Sequence, residues 1–291
     1  MRVHTAGSWY VLIVVISICN MDRELYFEQI SVNYREILER IDNAAKRSGR
    51  SAKEVLLVAV SKYSKIDDGF IEGLIRMGTF DFAENRSQYF LEKFNYWSQS
   101  PYWNSTKEHD FVSPVSGGSV CAREIRWHFI GNLQRNKVRR IVPRVSLIHS
   151  VDSFKLIETL EKVIDEENEL CDSEKNWKYP QRISVLLEVN ISKDETKHGF
   201  TQSELLDVLP RIVGFKRVNV CGLMGMAGLT ATPDETRRQF SNLRETFELC
   251  RSTFPEFRNF CDLSMGMSGD FEIAIEEGAT IVRIGSALYP R

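Results

Sequence analysis

No two of the six cysteines stand in C-x-x-C spacing; Cys19, Cys121, Cys171, Cys221, Cys250 and Cys261 are scattered along the chain. Such a set offers neither a metal site nor a dense disulfide framework, and it reads as reduced thiols of a cytoplasmic protein. An excess of one charge is missing too. Lys and Arg number 38 against 40 Asp and Glu, a net of −2, so nothing electrostatic argues for nucleic acid as the principal partner. Long hydrophobic runs are absent: the one apolar stretch, Trp9 to Cys19, is too short to span a bilayer comfortably and has no A-x-A-like cleavage site after it. Residues 1–20 are therefore read as an apolar extension ahead of Met21, the expected initiator, and 21–291 as the folded unit. No membrane partner is expected beyond that doubtful segment.

What is present is an alternation of short apolar runs with amphipathic ones. Tyr34, Ile37, Leu38, Ile41, Ala44 and Ala45 recur at helical spacing, which predicts a helix from Asp22 to about Arg47. Val55-Leu-Leu-Val-Ala-Val-Ser-Lys62 follows, an apolar run without polar alternation, as expected of a strand buried on both faces of a parallel sheet. Further strands are expected at 79–85, 125–131, 145–149, 183–190, 219–224, 262–264 and 280–285. Helices are expected at 67–77, 132–142, 153–164, 203–212, 233–254 and 271–277. Residues 96–123 mix Asn, Ser, Pro, Gly and aromatics without period and read as a loop insertion; 165–176 reads as an acidic linker. Eight strands alternating with helices over about 265 residues predict a single α/β domain, a (β/α)8 TIM barrel. The rival, an open doubly wound sheet, would carry a Gly-rich turn after its first strand. Here that turn is Ser61-Lys-Tyr-Ser-Lys65, without glycine.

Barrel active sites sit at the carboxyl ends of the strands, and the unusual polar residues fall there: Lys62, Glu84, Asn85, His128, His149, Asn190, Met224, Ser264 and Arg283. Lys62 is expected with its stem in apolar surroundings, where burial would lower its pKa and favour imine chemistry. Ser264-Met-Gly-Met-Ser-Gly-Asp270 is a small-residue loop entering a helix, with Ser268 its expected N-cap. Together with Gly285-Ser286 it forms a candidate phosphate cradle. A lysine, a phosphate cradle and Arg283 between them suit pyridoxal 5′-phosphate. An arginine at the pyridine nitrogen keeps that nitrogen unprotonated and makes the ring a poorer electron sink.

Eight blocks in order carry a resemblance: Ala59-Val-Ser-Lys62, Phe82-Ala-Glu-Asn85, Trp127-His-Phe-Ile-Gly131 with Leu133-Gln134 and Asn136-Lys137, Ile148-His-Ser-Val-Asp152, Val189-Asn-Ile-Ser192, Gly222-Leu-Met224, Ser264-Met-Gly-Met-Ser268 and Val282-Arg-Ile-Gly285. From Asp22 onward the chain resembles the pyridoxal phosphate homeostasis protein family, the YggS/PROSC-like group. The resemblance implies a barrel like the amino-terminal domain of alanine racemase, with pyridoxal phosphate held on Lys62 as a Schiff base. It implies Ser264, Ser268, Gly285 and Ser286 around the phosphate, Arg283 at the ring nitrogen, and Asn85 and Met224 near the ring. It also implies a carrier or regulator of intracellular pyridoxal phosphate without established turnover, with apo forms of pyridoxal phosphate enzymes as recipients, and a monomer or weak dimer. Three departures stand out: Ala83 where the family has Gly, the longer insertion before Arg123, and the tail Ser286-Ala-Leu-Tyr-Pro-Arg291.

Two enzymatic alternatives compete with the carrier. A racemase of this fold needs a β-rich second domain to supply a base on the opposite face of the cofactor. The chain stops six residues after Gly285, so none is expected. An aldolase using Lys62 would want a carboxylate proton shuttle, for which Glu84 is the candidate.

Overall fold

The computed structural model describes residues 7–66, 68–100, 124–169, 179–192 and 198–290, with side chains from residue 23 onward. Eight strands close a barrel in sequence order: β1 (Leu56–Val60), β2 (Asp81–Glu84), β3 (Arg126–Phe129), β4 (Leu147–Val151), β5 (Ile183–Val189), β6 (Val218–Gly225), β7 (Asp262–Ser264) and β8 (Ile281–Ile284). Every pairing is parallel, and β1 closes on β8 with Val58 opposite Arg283 and Ala59 opposite Ile284. The helices are α1 (Gly7–Arg47), α2 (Phe70–Arg76), α3 (Ser87–Trp97), α4 (Val138–Ile141), α5 (Phe154–Glu169), α6 (Gln202–Ile212), α7 (Pro233–Thr253) and α8 (Phe271–Glu276). Among the described residues no helix is long and apolar enough to cross a membrane.

Local chemistry explains where several helices start. Thr201 with Glu204 and Thr232 with Glu235 each form a reciprocal capping box, and Pro233 follows the second cap at a position where its missing N–H costs nothing. Helix α1 turns Ile30, Ile37, Ile41, Ala44 and Ala45 inward, whereas Leu38 remains exposed. Bidentate contact of Arg40 with Glu272 at 2.9 Å and the ion pair of Arg47 with Glu276 tie α1 to α8. Helix α1 thereby covers the β1–β8 seam.

The boundaries depart from expectation in four places. Helix α1 is described from Gly7 rather than from Asp22. The helix expected at 132–142 is a single α-turn between two 3-10 turns. The acidic linker expected from Asp165 is instead the last part of α5, which runs to Glu169; residues 170–178 lie outside the described set. Its Glu-rich sequence continues a helical face that Val163 and Ile164 still bury. Of the expected insertion, Tyr96 and Trp97 belong to α3, which the sequence reading did not place, and 101–123 lie outside the described residues.

Side chains on each strand alternate between the helix layer and the lumen. Val58, Val60, Ala83, Leu147, Leu186, Cys221, Met224 and Ile281 pack together inside the barrel, apart from the larger cluster that faces the helices. Cys221 and Met224 share the lumen although they stand three positions apart, which strict alternation forbids. The β5–β6 register shift between Val185 and Leu186 resolves the parity by adding one residue to β6. Gly222 makes that bulge: its φ is +151°, and a Cβ there would lie 1.8 Å from the carbonyl oxygen of Asp262. Gly222→Ala is expected to lower unfolding stability by about 3 kcal/mol or more, read from urea denaturation, because strain and overlap act together.

Candidate functional site

Lys62 lies two residues past the end of β1, in a turn, and is exposed. The expectation of a lysine stem sheltered at the strand end is therefore corrected. The alternation that buries Val58 and Val60 ends with the strand, and the Lys62 side chain is left exposed; its amine lies 4.7 Å from the centre of the Tyr63 ring. The turn itself is tightly held. Ser61 is fully buried, its N–H donates to the Ala83 carbonyl at 2.9 Å, and its own carbonyl accepts from the Ser64 hydroxyl at 2.9 Å and from the Lys93 amine. Lys93 reaches in from α3 and pairs with Glu84 at 2.7 Å, with both side chains at most 3% exposed. The other oxygen of Glu84 accepts from the Asn85 N–H at 2.9 Å. Glu84 is thus committed inside the wall and offers no free carboxylate at the mouth.

Register places the turn after β8 beside the turn after β1. A Cβ added at Gly285 would meet the Val60 Cβ at 3.3 Å, so a side chain there would press on the end of β1. Ser268 was expected to cap the last helix, but Asp270 holds that position and α8 is only six residues long. The Ser268 hydroxyl instead accepts from the N–H groups of Gly285 and Ala287, each at 3.2 Å. The 265–270 loop is closed on itself, with Met267 N–H donating to the Asp270 carboxylate at 2.6 Å. Burial pushes the Asp270 carboxyl up, against that bond and the attraction of Arg283. Ser286 is exposed; Asn85, just past β2, is half-buried; Met224 is buried one residue before the end of β6.

Arg283 is 3% exposed and points across the lumen. It donates to the Ser264 hydroxyl at 2.6 Å and to the Gly225 carbonyl at 3.1 Å. Both acceptors are uncharged, and burial pushes its pKa down to about 10 despite the carboxylates of Asp270 and Glu188. Ser264, expected among the phosphate-binding residues, has its hydroxyl turned into the barrel. Its hydroxyl is fully buried and is engaged by Arg283 and by His149 Nδ1 at 2.9 Å. His149 lies inside β4 rather than at its end, and its Nε2 is 2.9 Å from His128 Nδ1. His128 Nε2 is 3.0 Å from Asp81, which Arg126 grips through both nitrogens, 2.8 Å at Nε. A continuous polar chain therefore runs from Arg283 to Arg126 through the lumen.

Asp81, Arg126 and Lys93 escaped the sequence reading. The signal for the first two was parity: Arg126 and His128 alternate in β3, as do Asp81 and Ala83 in β2, so a lumen-facing histidine implies lumen-facing charges beside it. Lys93 gave no such signal, because one lysine on a surface helix is ordinary. Asn190, just past β5, uses its side-chain oxygen to accept from Ser192 at 3.2 Å.

Burial raises the pKa of Asp81, but the His128 hydrogen bond and the Arg126 guanidinium outweigh it and hold the carboxyl below its ordinary value. A depressed carboxyl contributes stability that is complete above the unfolded value of about 3.9 and is lost as pH falls through the folded one. Asp81→Asn is accordingly expected to be less stable than the parent at pH 6, with the gap closing toward pH 2 in urea titrations. Burial, reinforced by His128 and Arg283, pushes His149 well below the usual imidazole range.

Comparison with known proteins meets this geometry. Residues 124–290 match the family model for the alanine racemase N-terminal domain. The pyridoxal phosphate homeostasis protein of Aquifex aeolicus is 34% identical over 255 residues, which cover 87% of this chain and 94% of the relative. A crystal structure of a protein from Bifidobacterium adolescentis superposes with a TM-score of 0.76 at 30% identity, covering 91% of this chain and 96% of that one. PipY of Synechococcus elongatus PCC7942, solved with PLP bound, gives 0.66 at 29% identity and covers 87% and 100%. The closed barrel is the one these relatives share, and the chain belongs to the pyridoxal phosphate homeostasis protein family.

Proposed function

We propose that this chain binds pyridoxal 5′-phosphate through Lys62 and acts as an intracellular, cytoplasmic carrier of the cofactor rather than as an enzyme. The observation that supports it most is Arg283: a buried guanidinium whose hydrogen-bond partners are a hydroxyl and a peptide carbonyl. Its remaining N–H groups suit an uncharged lone-pair acceptor such as a pyridine nitrogen. The donor set at the neighbouring turn fits the other end of the molecule. Two backbone N–H groups, of Gly285 and Ala287, already converge on one oxygen atom, that of the Ser268 hydroxyl, and the exposed Ser286 stands between them in the chain. Lys62 supplies the amine for the aldehyde, and Asn85 and Met224 border the ring. Ser264 acts on Arg283, not on the phosphate.

The cofactor supplies an aldehyde and an electron-withdrawing ring; the chain tempers the ring. Arg283 donates to the nitrogen and cannot be deprotonated by it, so carbanion chemistry is muted. Glu84, the carboxylate the aldolase alternative would use, is locked to Lys93, which argues against that alternative. An exposed lysine on an anchored turn suits reversible loading and release to recipient apo-enzymes. Incubating the protein with pyridoxal phosphate, reducing with borohydride and mapping the peptides tests the reading. The label is expected on Lys62; a label on Lys65 or Lys93 alone, or none, refutes it.

A further inference from the structure

The lumen chain from Arg283 to Asp81 has one consistent direction of hydrogen bonding. Asp81, held by Arg126, accepts on the oxygen facing His128, so His128 carries a proton on Nε2. The Ser264 oxygen already accepts from Arg283, and its own proton needs an acceptor. His149 Nδ1, 2.9 Å away, is the acceptor the geometry provides. His149 must then carry its proton on Nε2, and that proton points at His128 Nδ1, 2.9 Å off. Every bond in this arrangement has one donor and one acceptor. The reverse direction would aim two donors at Ser264 and leave its hydroxyl proton without a partner, a costly fault where Ser264 and both histidines are fully buried.

We infer that His149, His128 and Asp81 are positioning residues for Arg283: a one-way chain, Ser264 to His149 to His128 to Asp81, that fixes the Ser264 lone pair and through it aims the guanidinium into the cofactor site. The chain, with Arg283 at its head, spans five strands, β8 and β7 at one end and β3 and β2 at the other, with β4 between, so it also sets where those walls stand relative to one another. Such chains strengthen each member through polarisation, and ending on a carboxylate maximises the effect. The consequence for the site is a single guanidinium orientation, prepared before any ligand arrives. This inference rests on the carrier reading for its ligand, but the proton positions it assigns do not.

Two measurements test it. In cofactor-free full-length protein with 15N-labelled histidine, long-range 1H–15N correlation at pH 7 should show two buried imidazoles protonated at Nε2 only. A proton on Nδ1 of His149 overturns the chain. For the aiming, His149→Leu removes both links, whereas His149→Gln keeps them, since its carbonyl accepts from Ser264 and its amide donates to His128. The Leu variant is expected to bind pyridoxal phosphate about tenfold more weakly, the loss of one hydrogen bond to a charged group, with a displaced visible absorption band. The Gln variant should recover affinity and band to within about threefold. Equal behaviour of Leu, Gln and parent, or Gln no better than Leu at matched thermal stability, overturns the positioning role. Should the Leu variant fail to fold, Ser264→Ala, which cuts the link next to Arg283, is expected to give the same weakening and band shift; parental binding by that variant overturns the role. Loss of the carrier reading looks different: there the parent itself fails to place a reducible label on Lys62.

Discussion

Lys62→Ala protein is expected to yield no borohydride-fixed label and no visible cofactor band while folding as stably as the parent. The two halves of that result have separate causes. Lys62 is exposed and its amine stands over the Tyr63 ring, so truncation forfeits an exposed cation–π contact of about 0.5–1 kcal/mol at most. The turn does not depend on the amine, because Ser61 and Ser64 hold it from within. Cofactor affinity should fall by about 100-fold, equivalent to about 2.7 kcal/mol, and not to zero, since the 285–287 turn and Arg283 remain. Lys65→Ala, which removes another exposed lysine three residues along, serves as the control and should keep both label and band. Persistence of the label in Lys62→Ala would move the attachment point elsewhere and end the assignment.

The barrel was legible because its signals are redundant. Each strand announces itself as an apolar run, and most helices, α3 excepted, by period or cap; the closed order then follows from eight alternations of about the expected length. End errors of one or two residues on the strands, and longer ones on α1, α4 and α5, did not disturb it. Functional geometry was less legible, since it depends on parity and on partners far along the chain. The end of a strand in sequence did not say whether Lys62 faces lumen or solvent. Ser268 looked like a cap because Ser before a helix usually is one, yet Asp270 and the Gly266 turn moved the helix start downstream. Ser264 and Ser268 looked alike in sequence, four residues apart in one loop. The first is the last residue of β7 and faces the lumen; the second stands beyond it and faces the 285–287 turn.

Lys93→Met is expected to be the most destabilising substitution near the site, by about 3–5 kcal/mol, because it leaves Glu84 buried without its cation. The same argument predicts that adding Glu84→Leu to it restores much of the loss, as replacing a buried pair by apolar groups of similar volume costs little. Restoration should be incomplete, since the Asn85 N–H and the Ser61 carbonyl each lose a partner to the double change. Urea unfolding of the two single variants and the double variant gives the coupling directly, and a double variant no more stable than Lys93→Met would show that the pair is not compensating. The functional consequence follows from where the lost partners sit. Ser61 precedes Lys62 and Asn85 follows β2, so in Lys93→Met amide hydrogen exchange should accelerate first at 61–64 and 85. Cofactor retention should fall in parallel, although neither Lys93 nor Glu84 reaches the ligand. A buried ion pair that contributes little net stability would thus be what keeps the exposed lysine on a fixed turn, and the carrier's hold on its cargo would depend on a contact made inside the barrel wall.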